Sequence, residues 1–450
     1  MAESLRPPGA PWVAAPTQGV RTPAWDLLLV CVAVYIATAV GRVHQLFPVL
    51  VVLKPALVAA ILAIGLYLLQ QSGQRHLGRL WSATTAWLLG LLLWSALSVP
   101  AALNQGVAFH AWTEFARTVV MFLVVAGCVR TARDVERLGL VYFAVTVVYT
   151  AVVLSRFQLG ADWRLGRLYY YDANDLATLI ATAIPFGLYF VIAQRRPLLR
   201  VLALAGLGLL AVGLIRSGSR GGFLALLAVT AFVLLGFTTI AARARLAGLV
   251  VILAVGAASA SDQYWTQMQT IIHPDQDYNT TSDAGRVKIW KRGLGYMMDR
   301  PVLGVGMNNF PVAEGTISPL ARARQRGQGV RWGVAHNSFI QVAAELGIPG
   351  LLLFIGLIAS AFASLRRVVR QFRNAPGAKD LSRLAQSLMA ALVGFIVGGF
   401  FLTLAYSDML YTLVALVVAL EKTTRYSNAR VLSGARRTPR GSRPMGWRAA

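Results

Sequence analysis

Leu198-Leu199-Arg200-Val201-Leu202-Ala203-Leu204-Ala205-Gly206-Leu207-Gly208-Leu209-Leu210-Ala211-Val212-Gly213-Leu214-Ile215 is the stretch that decides the fold, because Arg200 is its only charge. A helix that spans a bilayer needs ~20 mostly apolar residues. After the turn Arg216–Gly221 a second such run covers Gly222–Ile240. Working outward from this pair, twelve runs can be read: Ala24–Val40, Phe47–Leu69, Thr84–Leu103, Phe115–Val129, Leu138–Leu154, Leu176–Ile192, Leu198–Ile215, Gly222–Ile240, Leu246–Ala260, Ile348–Leu365, Ala385–Leu404 and Met409–Leu420. A transmembrane barrel would instead show alternating segments of about ten residues. The expected fold class is therefore an all-α polytopic membrane protein.

Composition agrees. Of the 450 residues 56% are hydrophobic and only 14% charged, against about 25% charged in soluble domains. Mean hydropathy is +0.59. An ordinary soluble enzyme and a disordered chain are excluded. The 43 Lys and Arg against 18 Asp and Glu do not indicate nucleic acid, which needs basic charge clustered on a wettable fold. Cys31 and Cys128 both lie inside apolar runs and read as small core residues. The N-terminal segment 1–23 lacks a short apolar core followed by a cleavage site, so Ala24 onward reads as a retained first span.

Cationic residues cluster in alternate loops: Arg75 and Arg79, Arg130 to Arg137, Arg195 to Arg200, Arg243 and Arg245, Arg366 to Arg383, and the acid-free tail after Glu421. By the positive-inside rule these face the cytoplasm, with both termini. The expected organisation is a cytoplasmic segment 1–23, spans one to nine in 24–260, an outer loop 261–347, spans ten to twelve in 348–421, and a disordered basic tail 422–450 that hugs the inner leaflet. Asn104–Glu114 and Ala405–Asp408 read as cation-free outer loops.

The other outer segments break the rule. Arg156, Arg164 and Arg167 lie in 155–175, Arg216 and Arg220 in the turn 216–221, and Arg286, Lys288, Lys291, Arg292, Arg300, Arg322, Arg324, Arg326 and Arg331 in the long loop. Arg117 sits near the outer end of span four. Cations there have no topological use, which points to an anionic ligand. Within the loop, Val287, Trp290, Leu294 and Met297 share a helical face. An amphipathic helix at the outer interface is expected, ended by Pro301 and Gly304.

Four motifs bear on chemistry. Ser217-Gly218-Ser219-Arg220-Gly221-Gly222 fits either an anion cradle, with backbone amides and a bidentate guanidinium, or a tight turn with a snorkelling arginine. His336, before Asn337-Ser338-Phe339, suits a general base at the water boundary or a cap-like histidine. Gly347-Ile348-Pro349-Gly350 should break the apolar stretch from His336 to Leu365, leaving a short helix from about Asn337 to Leu346 before the span, and Glu345, facing away from His336, should hold a neighbour. Asp275-Gln276-Asp277 has the form of a metal–diphosphate pair but reads better as a solvated loop. Asn174 or Asp175 should cap span six. Lys54, inside the second run, is either functional or snorkels outward.

Ser219-Arg220-Gly221-Gly222, Gly285-Arg286 with Trp290, Gly304-Val305-Gly306-Met307-Asn308-Asn309-Phe310, and His336-Asn337-Ser338-Phe339 with Glu345 to Gly350 occur in that order. The ordered set resembles the O-antigen ligase/polymerase superfamily of bacterial inner-membrane glycosyltransferases, from about Arg167 to about Leu420. The resemblance implies a metal-independent integral-membrane glycosyltransferase of GT-C-like type, with no cofactor. It would take a glycan from undecaprenyl diphosphate and pass it, with inversion, to lipid A–core at the periplasmic face. The family's histidine maps onto His336 as catalytic base, and its phosphate-handling arginines onto Arg220 and Arg286. Arg167, Arg164, Arg156, Arg117 and Asn337 complete the expected substrate-binding set, and 319–331 would face the anionic acceptor. Membrane lipids are expected partners and nucleic acid is not. An O-antigen polymerase or a protein O-oligosaccharyltransferase would use the same motifs. A transporter for anionic lipids would need charges along a transmembrane path, and these are scarce.

Overall fold

The computed structural model describes Ala24 to Arg436, apart from residues 157–170, 195, 238–240, 244, 247, 249, 251–253, 255–257, 259, 274–276, 278, 280–281, 283–284, 324–329 and 374–378. Among the described residues the regular structure is helical throughout: α1 (Leu27–Ala39), α2 (Pro48–Val52), α3 (Pro55–Leu69), α4 (Ala83–Ser98), α5 (Gln105–Cys128), α6 (Ala132–Arg156), α7 (Ala173–Ala193), α8 (Pro197–Ser217), α9 (Arg220–Gly236), α10 (Asp262–Gln269), α11 (Arg286–Asp299), α12 (Phe310–Thr316), α13 (Pro319–Ala323), α14 (Ser338–Phe372), α15 (Lys379–Gly399) and α16 (Asp408–Arg436). Seven described helices are long and apolar enough to cross a membrane, and α1, α3 and α9 are shorter apolar helices. This is the architecture of a polytopic membrane protein. Of the expected spans, only Leu246–Ala260 lies largely outside the described residues.

Burial separates the centre from the lipid-facing rim. Every residue of α16 from Met409 to Thr424 is buried, as expected for a helix apolar on all sides and enclosed by protein. α7 and α15 are also mostly buried and pack against each other. Gly398 permits this, since a β-carbon there would come within 2.5 Å of Thr178. On α3 and α8, by contrast, Leu57, Ile61, Leu198 and Val201 are exposed. Such side chains belong in hydrocarbon.

Several expectations need correction. Asn104–Glu114 is the first part of α5 rather than a loop, with Asn104 capping Val107 N–H at 3.1 Å. His110 and Glu114 line a cleft, so the apolar run stops where the helix does not. The second apolar run is broken at Lys54, whose φ of 44° separates α2 from α3; Lys54 is exposed at that break. The basic tail begins as a continuation of α16 to Arg436. Lys422, counted with that tail, is buried and donates to the carbonyls of Ala126 and Gly127 at 2.9 and 3.1 Å, closing the C-terminus of α5. Arg75 and Arg130 likewise do more than mark topology, since both pair with Asp26, at 2.6 and 3.3 Å.

The amphipathic helix forms as α11, but its buried stripe is Ile289, Gly293 and Tyr296. Leu294 is exposed. Counting apolar side chains overlooks Gly293, where a β-carbon would come within 2.5 Å of Ile340 and 2.8 Å of Phe310. That close approach sets which face of α11 turns inward.

Candidate functional site

A break at Gly347 divides α14. Gly347 takes φ 68° and ψ −169° inside α14, a region that only glycine enters cheaply. Pro349 has no N–H to give the Glu345 carbonyl. Gly306 N–H supplies it at 2.9 Å, Val305 N–H bonds the Ala344 carbonyl at 2.9 Å, and Ile348 N–H turns to Pro301 O at 2.8 Å. The Pro301–Phe310 motif and the Glu345–Gly350 motif are thus one backbone lock. Glu345 holds a neighbour as expected, its carboxylate accepting from Phe310 N–H at 3.4 Å.

His336 stands just before the other end of this helix. Its φ is 47°, a left-handed conformation that histidine enters more readily than most residues but at a cost. Bonds on both sides hold it there. Trp290 Nε1 donates to the Ala335 carbonyl at 3.1 Å, and His336 N–H donates to Thr403 Oγ1 at 2.9 Å. Asn337, buried, accepts from Phe339 N–H and Ile340 N–H at 2.9 and 3.1 Å. It is the helix cap, so its side-chain oxygen is already engaged. Ser338 Oγ donates to Leu402 O at 2.8 Å and accepts from Leu404 N–H at 3.0 Å. Burial, then the guanidinium of Arg286, drives the His336 imidazole down to about 4; Asp172 opposes and Arg331 adds. The ring is neutral near pH 7, with a lone pair available.

The arginines divide. Arg286, half-buried at the start of α11, acts directly on His336. Arg220 opens α9 behind the Ser219 cap, but its guanidinium pairs with Asp277 Oδ2 at 2.8 Å and donates to Thr270 Oγ1 at 2.5 Å. Asp277 is therefore an ion-pair partner. Burial pushes its carboxyl up, yet bonds from Asn279 and Arg220 leave it below the usual carboxylate range. Segment 400–403 connects these parts. Phe401 lies against Gly221, where a β-carbon would sit 3.1 Å from its Cβ, and its ring is 6.3 Å from that of Trp290. Thr403 holds His336.

The remaining expected cations lie elsewhere. Arg117 is exposed and paired with Glu114. Arg156 donates to Leu46 O at 2.9 Å and sits 4.9 Å over the Phe47 ring. Arg292 is bound by Glu314 at 2.6 Å. Arg164, Arg167, Arg324, Arg326, Asp275 and Gln276 lie outside the described residues. Among the described residues, no group of three His, Cys, Asp or Glu is placed to hold a metal.

His336 faces a cleft of about 630 Å³, well within the range of small-molecule sites. Its walls include Glu114 and Thr118 of α5, Asp172 and Asp175 at the start of α7, Arg42, and Asp408 at the start of α16. Asp172 is the cap of α7, in place of the expected Asn174 or Asp175; Asp175 closes the capping box by accepting from Asp172 N–H at 3.2 Å. Asp408 accepts from Thr118 at 3.0 Å and Tyr35 at 3.3 Å, and Arg42 lies 3.9 Å away. The acids and Thr403 escaped sequence reasoning. The spacing of Asp172 and Asp175 does carry a capping-box signal, but nothing local marks Thr403.

No curated protein matches the chain. Residues 205–355, which include Arg220, Arg286 and His336, match the family model described as O-antigen ligase. The matched segment, about a third of the chain, is similar to that family.

Proposed function

We propose that the chain is an O-antigen ligase. It transfers a glycan from undecaprenyl diphosphate to the sugar core of lipid A, at the periplasmic face of a bacterial inner membrane crossed twelve times, with both termini cytoplasmic. The observation that carries this reading is His336 itself, a neutral imidazole held in a left-handed backbone conformation on a cleft, with Arg286 beside it.

An acceptor hydroxyl oxygen attacks the anomeric carbon of the donor from the face opposite the diphosphate. The new C–O bond forms as the bond to the phosphate oxygen breaks, which inverts that carbon. His336 takes the hydroxyl proton, and the bonding electron pair leaves with the diphosphate. A diphosphate needs no protonation to leave, but its charge needs fixed cations. Arg286 supplies one from the His336 side. Arg220 supplies another once Asp277 yields it. A metal is not part of this scheme, and the pairing of Asp277 with Arg220 supports that view.

A deletion strain tests the reading. Its lipid A–core should carry no O-antigen of any length, and glycan should accumulate on undecaprenyl diphosphate. A core that still receives one repeat unit would identify a polymerase instead.

A further inference from the structure

Of the charged groups that act on His336, Asp172 lines the cleft, whereas Arg286 and Arg331 do not. Arg286 and Arg331 act on the imidazole as cations, and Asp172 acts on it as an anion. The cleft belongs to the anionic side. Four carboxyl groups line it, from Glu114, Asp172, Asp175 and Asp408, beside His110 and one guanidinium, Arg42, which already faces Asp408 at 3.9 Å. Glu114 is partly offset by Arg117, which does not line the cleft. The rest of the lining holds hydrogen-bonding groups and apolar surface, such as Asn308, Thr118 and Phe115.

A diphosphate belongs with the arginines. In the cleft it would meet like charge, which costs several kcal/mol when charges are juxtaposed. The cleft is left for the other substrate, and its volume of about 630 Å³ suits a few sugar units. Sugar hydroxyls donate to carboxylates in charge-assisted bonds, and an ammonium group would be drawn in. A carboxylate or phosphate on the same sugar would be repelled. We infer that the cleft beside His336 is the acceptor subsite, and that it selects a reacting sugar that is neutral or amine-bearing. This rests on the transfer reading above. It locates any acceptor phosphates away from the reacting unit, toward the cationic side of the outer surface.

The test uses the full-length chain in lipid nanodiscs with an undecaprenyl-diphosphate-linked glycan. Three matched acceptor glycolipids differ only in the reacting sugar: neutral, 2-amino, or a uronic acid. The neutral and amino acceptors should exceed the uronic acid in kcat/KM by about tenfold or more. Asp172→Asn preserves the helix cap, because Asn caps as well as Asp. It should narrow that ratio several-fold while the neutral acceptor is still used. Equal or better use of the uronic acid by the native chain overturns the inference, as does a ratio that Asp172→Asn leaves unchanged. No transfer to any acceptor, with donor binding intact, overturns the transfer reading itself.

Discussion

Arg220 and Asp277 form an ion pair at 2.8 Å, so the arginine expected on the donor diphosphate already holds a carboxylate. A carboxylate and a phosphate oxygen compete for the same guanidinium fork. Arg220→Ala should therefore lower kcat by about a hundredfold or more, the scale for loss of one fixed charge stabiliser. Arg220→Lys should recover only part, because a point charge replaces the fork. Asp277→Asn should remain active and lower the donor KM by roughly two- to fivefold, the scale of a modest ion pair. Activity should persist in excess EDTA. If Asp277→Asn is inactive, or Mg²⁺ restores activity lost to EDTA, the aspartate serves a metal.

His336 poses a different problem, since its backbone is as unusual as its side chain. His336→Ala combines two losses, the base and a residue type that tolerates φ 47°. His336→Asn separates them, because Asn accepts left-handed backbone well. A general base contributes about 10²–10⁴-fold. We expect His336→Asn to lose at least about a hundredfold in kcat with thermal stability near native. Retention of native kcat at equal expression would remove the base assignment.

Most of the helices were legible because length and hydropathy are local properties. So was the break at Gly347-Ile348-Pro349-Gly350, since Pro349 cannot continue the hydrogen-bond ladder. What sequence reading missed was set by partners far along the chain. Thr403 acts on a residue 67 positions away. The inward face of α11 depends on Gly293 meeting Ile340 and Phe310. The start of α5 was hidden because His110 and Glu114 face the cleft, so polar lining residues interrupted the apolar signal that marks a span. The cationic surplus on the outer segments overstated anion binding, because Arg117, Arg220 and Arg292 each have a carboxylate partner.

The backbone lock between the Gly347 break and Pro301 predicts a stability effect. A β-carbon at Gly347 would lie 2.5 Å from the carbonyl oxygens of Pro301 and Val302, at a φ of 68°. The left-handed backbone alone costs about 1–3 kcal/mol for other residues, and the clash with backbone adds to it. Gly347→Ala should lower the apparent Tm in detergent by several degrees and depress activity. Gly65→Ala is the control, since nothing lies within 4 Å of its β-carbon. Equal Tm for the two variants would mean that the 301–306 turn does not depend on the helix break.

The charge on His336 makes activity depend on pH. A free imidazole titrates near 6.5, whereas burial and Arg286 bring His336 down to about 4. If His336 is the base, the neutral ring is the active form, so activity is present above the folded pKa and is lost as pH falls through it. The acid limb of kcat/KM, which reports the free enzyme, should lie near pH 4 rather than near 6.5. Removing the cation reverses part of the shift. In Arg286→Ala the charged imidazole loses a repulsive neighbour, its pKa rises, and the acid limb should move to higher pH, alongside the loss of donor stabilisation. Asp172→Asn should act in the opposite sense, because Asp172 favours the charged ring. Profiles of residual kcat/KM on the three proteins, carried at least about two pH units below the expected limb, decide it. An acid limb near 6.5 in the native chain, or one that Arg286→Ala leaves in place, would show that the titrating base is a group other than His336.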